Sequence, residues 1–270
     1  MAPEPWSRGP ALLFCPADRP ERYASAAERA DAAILDLEDA VRPEDRAGAR
    51  RMLAAADLDP ARVIVRINPL GTADAAEDLR MLADTAVRWV MVAKSEDAGA
   101  LDALDDRYRV LGLCETARGV REAAALAEHP LMAGLMWGAE DLVASLGGSS
   151  SRRADGSYRD VARHARSAVL VAAGAAGIAA VDAVHLDIAD LDGLRDEAED
   201  AAAVGFRATA CIHPSQVETI RAAYRPDPET LAWARDVLDA AVHESGVFAF
   251  RGRMVDEPVL RHARAVMARA

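Results

Sequence analysis

Residues 110–142, VLGLCETARGVREAAALAEHPLMAGLMWGAEDL, decide the reading of this chain. Two short apolar runs, Val110–Cys114 and Leu135–Trp137, flank a helical pattern over Ala117–Glu128 that Pro130 closes. A run of about five apolar residues stopped by glycine or a charge suits a strand buried in a parallel sheet. The first run stops at Glu115, the second at Gly138 followed by Glu140-Asp141. Adjacent parallel strands deliver their C-terminal loops to one edge, so Glu115 and Asp141 are expected to converge. Two carboxylates with the other positions left to water and substrate is what Mg²⁺ commonly takes from a protein. The bland alternative has either acid capping a helix or pairing with an arginine.

The same alternation extends both ways. Upstream lie the apolar runs Ala11–Cys15, Ala32–Leu35, Val63–Ile67 and Trp89–Ala93, with helical stretches between them. Asp18 is placed to cap the first helix and Ser95 the one after the fourth run. Downstream, a long helix over 158–176 carries an apolar stripe through Val161, Ala165, Val169 and Ala172. The seventh and eighth runs, Ile178–Val184 and Thr209–Ile212, are separated by a helix over 191–204. Eight runs alternating with helices over about 250 residues predict an α/β chain folded as a (β/α)₈ TIM barrel, placed at 1–225, with a C-terminal helical extension at 226–270. An open doubly wound sheet is the alternative, but no GxGxxG follows the first run. In a barrel all strand C-termini share one mouth, where active sites lie. Here those ends carry Asp18, Asp36, Glu38, Arg66, Lys94, Glu115, Glu140, Asp141 and His213.

Composition narrows the classes. The 270 residues are 51% hydrophobic with a net charge of -12, enough for a full core and unlike a nucleic-acid binder, which shows a basic face. No apolar run approaches membrane-spanning length, and the N-terminal residues show no apolar signal segment, so a cytoplasmic protein is expected. Cys15, Cys114 and Cys211 match no zinc spacing and read as buried thiols. Of 32 basic residues only Lys94 is lysine, which marks it either for a functional role or as an unremarkable surface charge. The stretch from Gly147 to Gly156, with Arg152 and Arg153, reads either as a solvated connection or as a basic lip over an anionic ligand.

The motifs FCPADRPERY, ILDLEDAVRPEDR, VRINP, LCETARG, WGAEDL, IHPSQ and GRMVD occur in that order from Phe14 to Asp256. Together they resemble the citrate lyase β-subunit-like family within the HpcH/HpaI aldolase superfamily. The likeness is strongest to stand-alone actinobacterial members, because WGAEDL continues into LGGSSSRRADGSYRDVARH. The resemblance implies a Mg²⁺-dependent carbon–carbon lyase acting on acyl-CoA thioesters such as citramalyl-CoA or malyl-CoA. It implies a homotrimer in which the C-terminal segment reaches a neighbour's active site. Carried over by motif, Glu115 and Asp141 are metal ligands, Arg66 contacts substrate, and Asp256 is an acid/base given across the interface. Phe14, Arg19, Ile212 and His213 fall where relatives hold CoA. Cys15 stands where valine is commoner, and Val92-Ala93 precede Lys94 in place of Leu-Pro.

Cleaving a 3-hydroxyacyl thioester between C2 and C3 requires loss of the hydroxyl proton, tolerance of a thioester enolate, and its protonation. A metal on Glu115 and Asp141 acts as Lewis acid and template. Arg66 places permanent charge on a carboxylate or on the enolate oxygen. Backbone N–H groups of Gly138, Ala139 and Glu140 add to this, and Asp256 supplies the proton. Asp36 and Glu38 are expected to pair with arginines, His213 to organise its loop or line the CoA site, and Trp137 to lie in the core. Rival readings are a Schiff-base aldolase using Lys94, a non-catalytic acyl-CoA-binding barrel, and a malate-synthase-like or thioesterase reaction on the same thioesters.

Overall fold

The computed structural model describes residues 8–244 and 246–269. Eight parallel strands close into a barrel in sequence order: β1 (Ala11–Pro16), β2 (Ala32–Asp36), β3 (Val63–Ile67), β4 (Trp89–Val92), β5 (Arg109–Cys114), β6 (Met132–Trp137), β7 (Ala179–Asp182) and β8 (Ala208–Cys211). Closure is made by β8 on β1, with Ala11 opposite Thr209. The helices are α1 (Tyr23–Arg29), α2 (Arg46–Ala55), α3 (Ala73–Ala83), α4 (Ala117–Arg121), α5 (Ala123–Ala127), α6 (Ala139–Ser145), α7 (Asp160–Ala176), α8 (Leu191–Val204), α9 (Val217–Tyr224), α10 (Pro228–Ala241) and α11 (Glu257–Met267). Among the described residues no helix is long and apolar enough to cross a membrane.

Alternate strand residues face the barrel interior. Ile34, Ile64, Leu111, Leu113 and Met136 pack there with Leu12 and Met91, and Phe14 and Val184 lie against this cluster. The inward positions that come next are Asp36 after Ile34, Arg66 after Ile64, Glu115 after Leu113 and Gly138 after Met136. The parity that buries the core therefore delivers polar groups to the mouth. Register brings them together: Asp36 is opposite Arg66, and Cys114 is opposite Trp137, so Glu115 and Gly138 follow side by side.

Four local expectations are corrected. The sixth strand begins at Met132, not Leu135; it includes Gly134, where a Cβ would sit 3.1 Å from both the Ala179 carbonyl and Leu111, a tight fit. The single helix expected over 117–128 is two short ones meeting at Glu122. Asp18 makes no side-chain cap at the turn over Pro20–Arg22, and Ser95 instead donates its hydroxyl to the Val92 carbonyl.

The chain forms two compact units, one ending at Ile220 and one beginning at Arg221. The second contains α10, an antiparallel hairpin of β9 (Phe248–Phe250) with β10 (Arg253–Val255), and α11. It has its own core of Ala234, Val237, Val255, Ala263 and Val266.

Candidate active site

A cavity of about 340 Å³ opens at the carboxyl ends of the barrel strands. Its polar wall comprises Asp36, Asp39, Arg66, Glu115, Glu140 and Asp141; Phe14, Leu113, Met136, Val184, Leu186 and Ile212 supply the apolar wall, and Trp137, Gly138 and three alanines, Ala40, Ala139 and Ala183, complete it. Nine of the residues anticipated for the site are thus brought to one cavity.

Arg66 is almost fully buried. Its Nε and Nη2 each donate to Asp36 at 2.6 Å, a two-pronged pair, and its Nη1 lies 3.4 Å from Glu38. The guanidinium also lies over the Phe14 ring, 5.1 Å from its centroid. Asp36 in turn accepts from the backbone N–H of Glu38 and Ala40. Asp36 and Glu38 therefore hold Arg66, as expected of them, and a planar fork so held loses little freedom on meeting a second carboxylate.

Glu115 is 2% exposed. Its Oε1 accepts from the Lys94 backbone N–H at 3.0 Å. A Cβ at position 138 would come within 2.9 Å of Glu115 Cβ and 3.2 Å of Oε2, so Gly138 leaves the space the carboxylate occupies. Burial pushes the Glu115 carboxyl up to about 8; Arg66 pulls it down, and the nearby charge of Asp141 adds to the rise. A cation between the two carboxylates would offset both the burial of Glu115 and the repulsion from Asp141. Among the described residues no third histidine, cysteine or carboxylate completes a denser cluster. An oxygen-only pair with room for water suits Mg²⁺ and does not suit zinc or iron, which draw on nitrogen and sulfur.

The other anticipated residues lie elsewhere. Lys94 does not line the cavity; its ammonium pairs with Glu38, and with Asp39 at 3.3 Å. Burial works against that charge, but the Glu38 hydrogen bond and the charges of Glu115, Glu38 and Asp39 hold the Lys94 pKa above its ordinary range. A Schiff-base lysine needs the opposite, an amine that sheds its proton. Arg19 is exposed and 3.9 Å from Asp18. His213 is exposed, with its ring nitrogen accepting from the Ser215 N–H, and so organises the turn into α9. Asp256 lies in the second unit, where it caps α11 through the Val259 N–H at 3.3 Å. In residues 147–156, Arg152 is bound to Glu197 and stacked on Tyr158, and Arg153 bonds the Tyr158 carbonyl and Asp160.

Sequence reasoning missed the support behind the cavity wall. Trp137 Nε1 donates to Asp182 at 2.5 Å, and Asp182 is held by Arg166 from α7. Asp182 ends β7, but the apolar run Ile178–Val184 continues past it in sequence and so hid it as a strand end. Glu140 accepts from the Ser151 hydroxyl, tying α6 to the loop before α7.

Residues 11–214 match the model of the HpcH/HpaI aldolase/citrate lyase family. A citrate lyase subunit beta-like protein of Mycobacterium tuberculosis is 59% identical over 262 residues, 97% of this chain and 96% of that protein. The mitochondrial citramalyl-CoA lyase of Mus musculus is 29% identical over 293 residues, 96% of this chain and 85% of that one. The crystal structure of CitE from Mycobacterium tuberculosis in complex with magnesium, acetoacetate and coenzyme A superposes with a TM-score of 0.91 at 58% identity, covering 98% of each chain. A closed eight-stranded barrel, an acidic pair beside a held arginine and a likeness running the length of the chain agree, and the chain belongs to the HpcH/HpaI aldolase/citrate lyase family.

Proposed function

We propose that the chain is a Mg²⁺-dependent carbon–carbon lyase that cleaves a 3-hydroxyacyl-CoA, such as citramalyl-CoA or malyl-CoA, to acetyl-CoA and a 2-oxo acid. The observation that carries this is Glu115 and Asp141 sharing one cavity wall with the Asp36-held Arg66. In such an ester a carboxylate sits beside the C3 hydroxyl. Glu115 and Asp141 hold the metal, which supplies Lewis acidity toward that hydroxyl and carboxylate. Arg66 gives the substrate a permanent positive charge that cannot be lost by deprotonation. It binds the carboxylate or receives the negative charge that develops on the thioester oxygen as the C2–C3 bond breaks. Gly138, Ala139 and Glu140 line the same cavity, and their backbone N–H groups add to this stabilisation. Phe14 and Ile212 offer apolar surface to the thioester arm, with Arg19 and His213 nearer the nucleotide end of CoA.

Protonation of the enolate carbon needs an acid. Asp256, in the 226–270 segment, fills that role in a homotrimer where this segment completes a neighbouring subunit's site. The protein acts in the cytoplasm.

The test is release of acetyl-CoA from citramalyl-CoA and malyl-CoA with Mg²⁺ and with excess EDTA. Cleavage that stops with EDTA supports the reading. Cleavage unaffected by EDTA defeats the metal assignment. CoA released without a 2-oxo acid defeats the lyase in favour of thioester hydrolysis.

A further inference from the structure

Lys94 is the chain's sole lysine, and the chemistry above gives it no step. It follows β4 by two residues and has φ 46°. A side chain with a Cβ adopts that left-handed region uncommonly. Rotation about N–Cα sets the angle between the amide N–H and the side chain, and both ends of Lys94 are engaged. The N–H donates to Glu115 Oε1 at 3.0 Å. The ammonium pairs with Glu38, whose second oxygen lies 3.4 Å from Arg66 Nη1. Asp36 and Glu38 are both buried carboxylates. Against Arg66 alone they leave one negative charge unbalanced, and Lys94 balances it. Asp39, the other partner of Lys94, is half exposed and screened by solvent.

We propose that Lys94 is a positioning residue, whose left-handed backbone aims one amide at the Glu115 carboxylate while its ammonium neutralises Glu38, so that Arg66 meets an anionic substrate against one carboxylate and not two. This rests on the reading of Glu115 as a metal ligand. The two halves separate by substitution. Lys94→Gly keeps the backbone conformation and removes the ammonium. Lys94→Met keeps the stem and removes only the charge. Lys94→Val puts a β-branched residue where φ is positive, and so works against the amide's direction.

Mg²⁺ binding to the metal-stripped protein is measured by titration calorimetry. Affinity is expected to stay near the wild-type value in Lys94→Gly and Lys94→Met and to fall on the order of tenfold in Lys94→Val, as when an outer partner of a metal ligand is lost. In Lys94→Met, KM for the acyl-CoA ester is expected to rise on the order of tenfold, with a smaller change in kcat, because one positive charge has left the site. A further measurement needs no variant of Lys94: its amide hydrogen is protected from exchange in the wild-type protein, and Glu115→Ala removes that protection. Equal Mg²⁺ affinity in Lys94→Val and wild type, or an unprotected amide, overturns the backbone half. An unchanged KM in Lys94→Met overturns the charge half, and a borohydride-trapped substrate adduct on Lys94 overturns the whole. A wild-type chain that binds no Mg²⁺ overturns the metal reading itself.

Discussion

Gly138→Ala tests whether the space beside Glu115 matters as the geometry says. Gly138 has φ -129° and ψ 126°, which alanine adopts freely, so the backbone pays nothing. The entire effect comes from the new methyl, whose carbon would sit 2.9 Å from Glu115 Cβ and 3.2 Å from Oε2. Carbon atoms settle at about 3.5–4.0 Å, so Glu115 or the start of α6 must shift by about 0.6 Å or more. Overpacking of this kind costs about 1–3 kcal/mol of stability. A displacement approaching 1 Å at a catalytic group costs on the order of 10²-fold in rate. The expected outcome is a folded protein with kcat/KM for acetyl-CoA release down on the order of 10²-fold and weakened Mg²⁺ binding. Gly174→Ala is the control: it lies in α7 with nothing within 4 Å of the added carbon, and alanine there stabilises a helix by about 0.5–1 kcal/mol. Wild-type kcat/KM and wild-type Mg²⁺ affinity in a folded Gly138→Ala would refute the argument that this glycine makes room for a working carboxylate.

Other outcomes follow from the same geometry. Asp256→Asn keeps an N-cap for α11 but removes the acid, so melting temperature and Mg²⁺ affinity should hold while turnover falls by about 10²–10⁴-fold; normal turnover removes Asp256 from the chemistry. Arg66→Lys keeps the charge but not the fork on Asp36; loss of a buried charge-assisted bond of about 2 kcal/mol should lower the melting temperature and reduce kcat/KM, and an unchanged protein counts against the held fork. The Glu115 carboxyl is raised to about 8 when folded, so its contribution to stability is complete below its unfolded value and is lost as pH rises through about 8. Metal-free protein should therefore melt lower at pH 9 than at pH 6, with Mg²⁺ restoring more at the higher pH. A metal-free melting temperature that is flat or rising across that window, by calorimetry, contradicts the raised carboxyl.

The barrel and much of its mouth were legible in the sequence because their signals are local. A strand buried on both faces is a short apolar run, and its inward residues recur at a period of two. Carrying that period one step past Ile34, Ile64 and Leu113 arrives at Asp36, Arg66 and Glu115, which is why these residues could be named from strand ends alone. The sixth strand extends three residues before the run Leu135–Trp137, over Met132–Gly134, where register with β5 fixes its start. The hairpin of β9 and β10 hid in a segment too short to show alternation.

What each end of a side chain does was a different matter. Among Asn68, Lys94 and Gln216, each the single residue of its type, composition marked only that something was kept. The fold shows what: Asn68 joins the Leu37 carbonyl to Asp78, Gln216 receives the N–H groups of Ile212 and His213 while donating to the His185 carbonyl, and Lys94 joins Glu115 to Glu38. Likewise Arg152 and Arg153 read as free charges until Glu197 and Asp160 were placed beside them. The sequence by itself determined the alternation of strands and helices and which polar residues end the strands, because those depend on neighbours within a few positions. Only the tertiary structure decided which acid meets which base at the mouth, because Asp36 and Arg66 lie 30 residues apart and Glu38 and Lys94 lie 56 apart, and they meet through strand register and barrel closure.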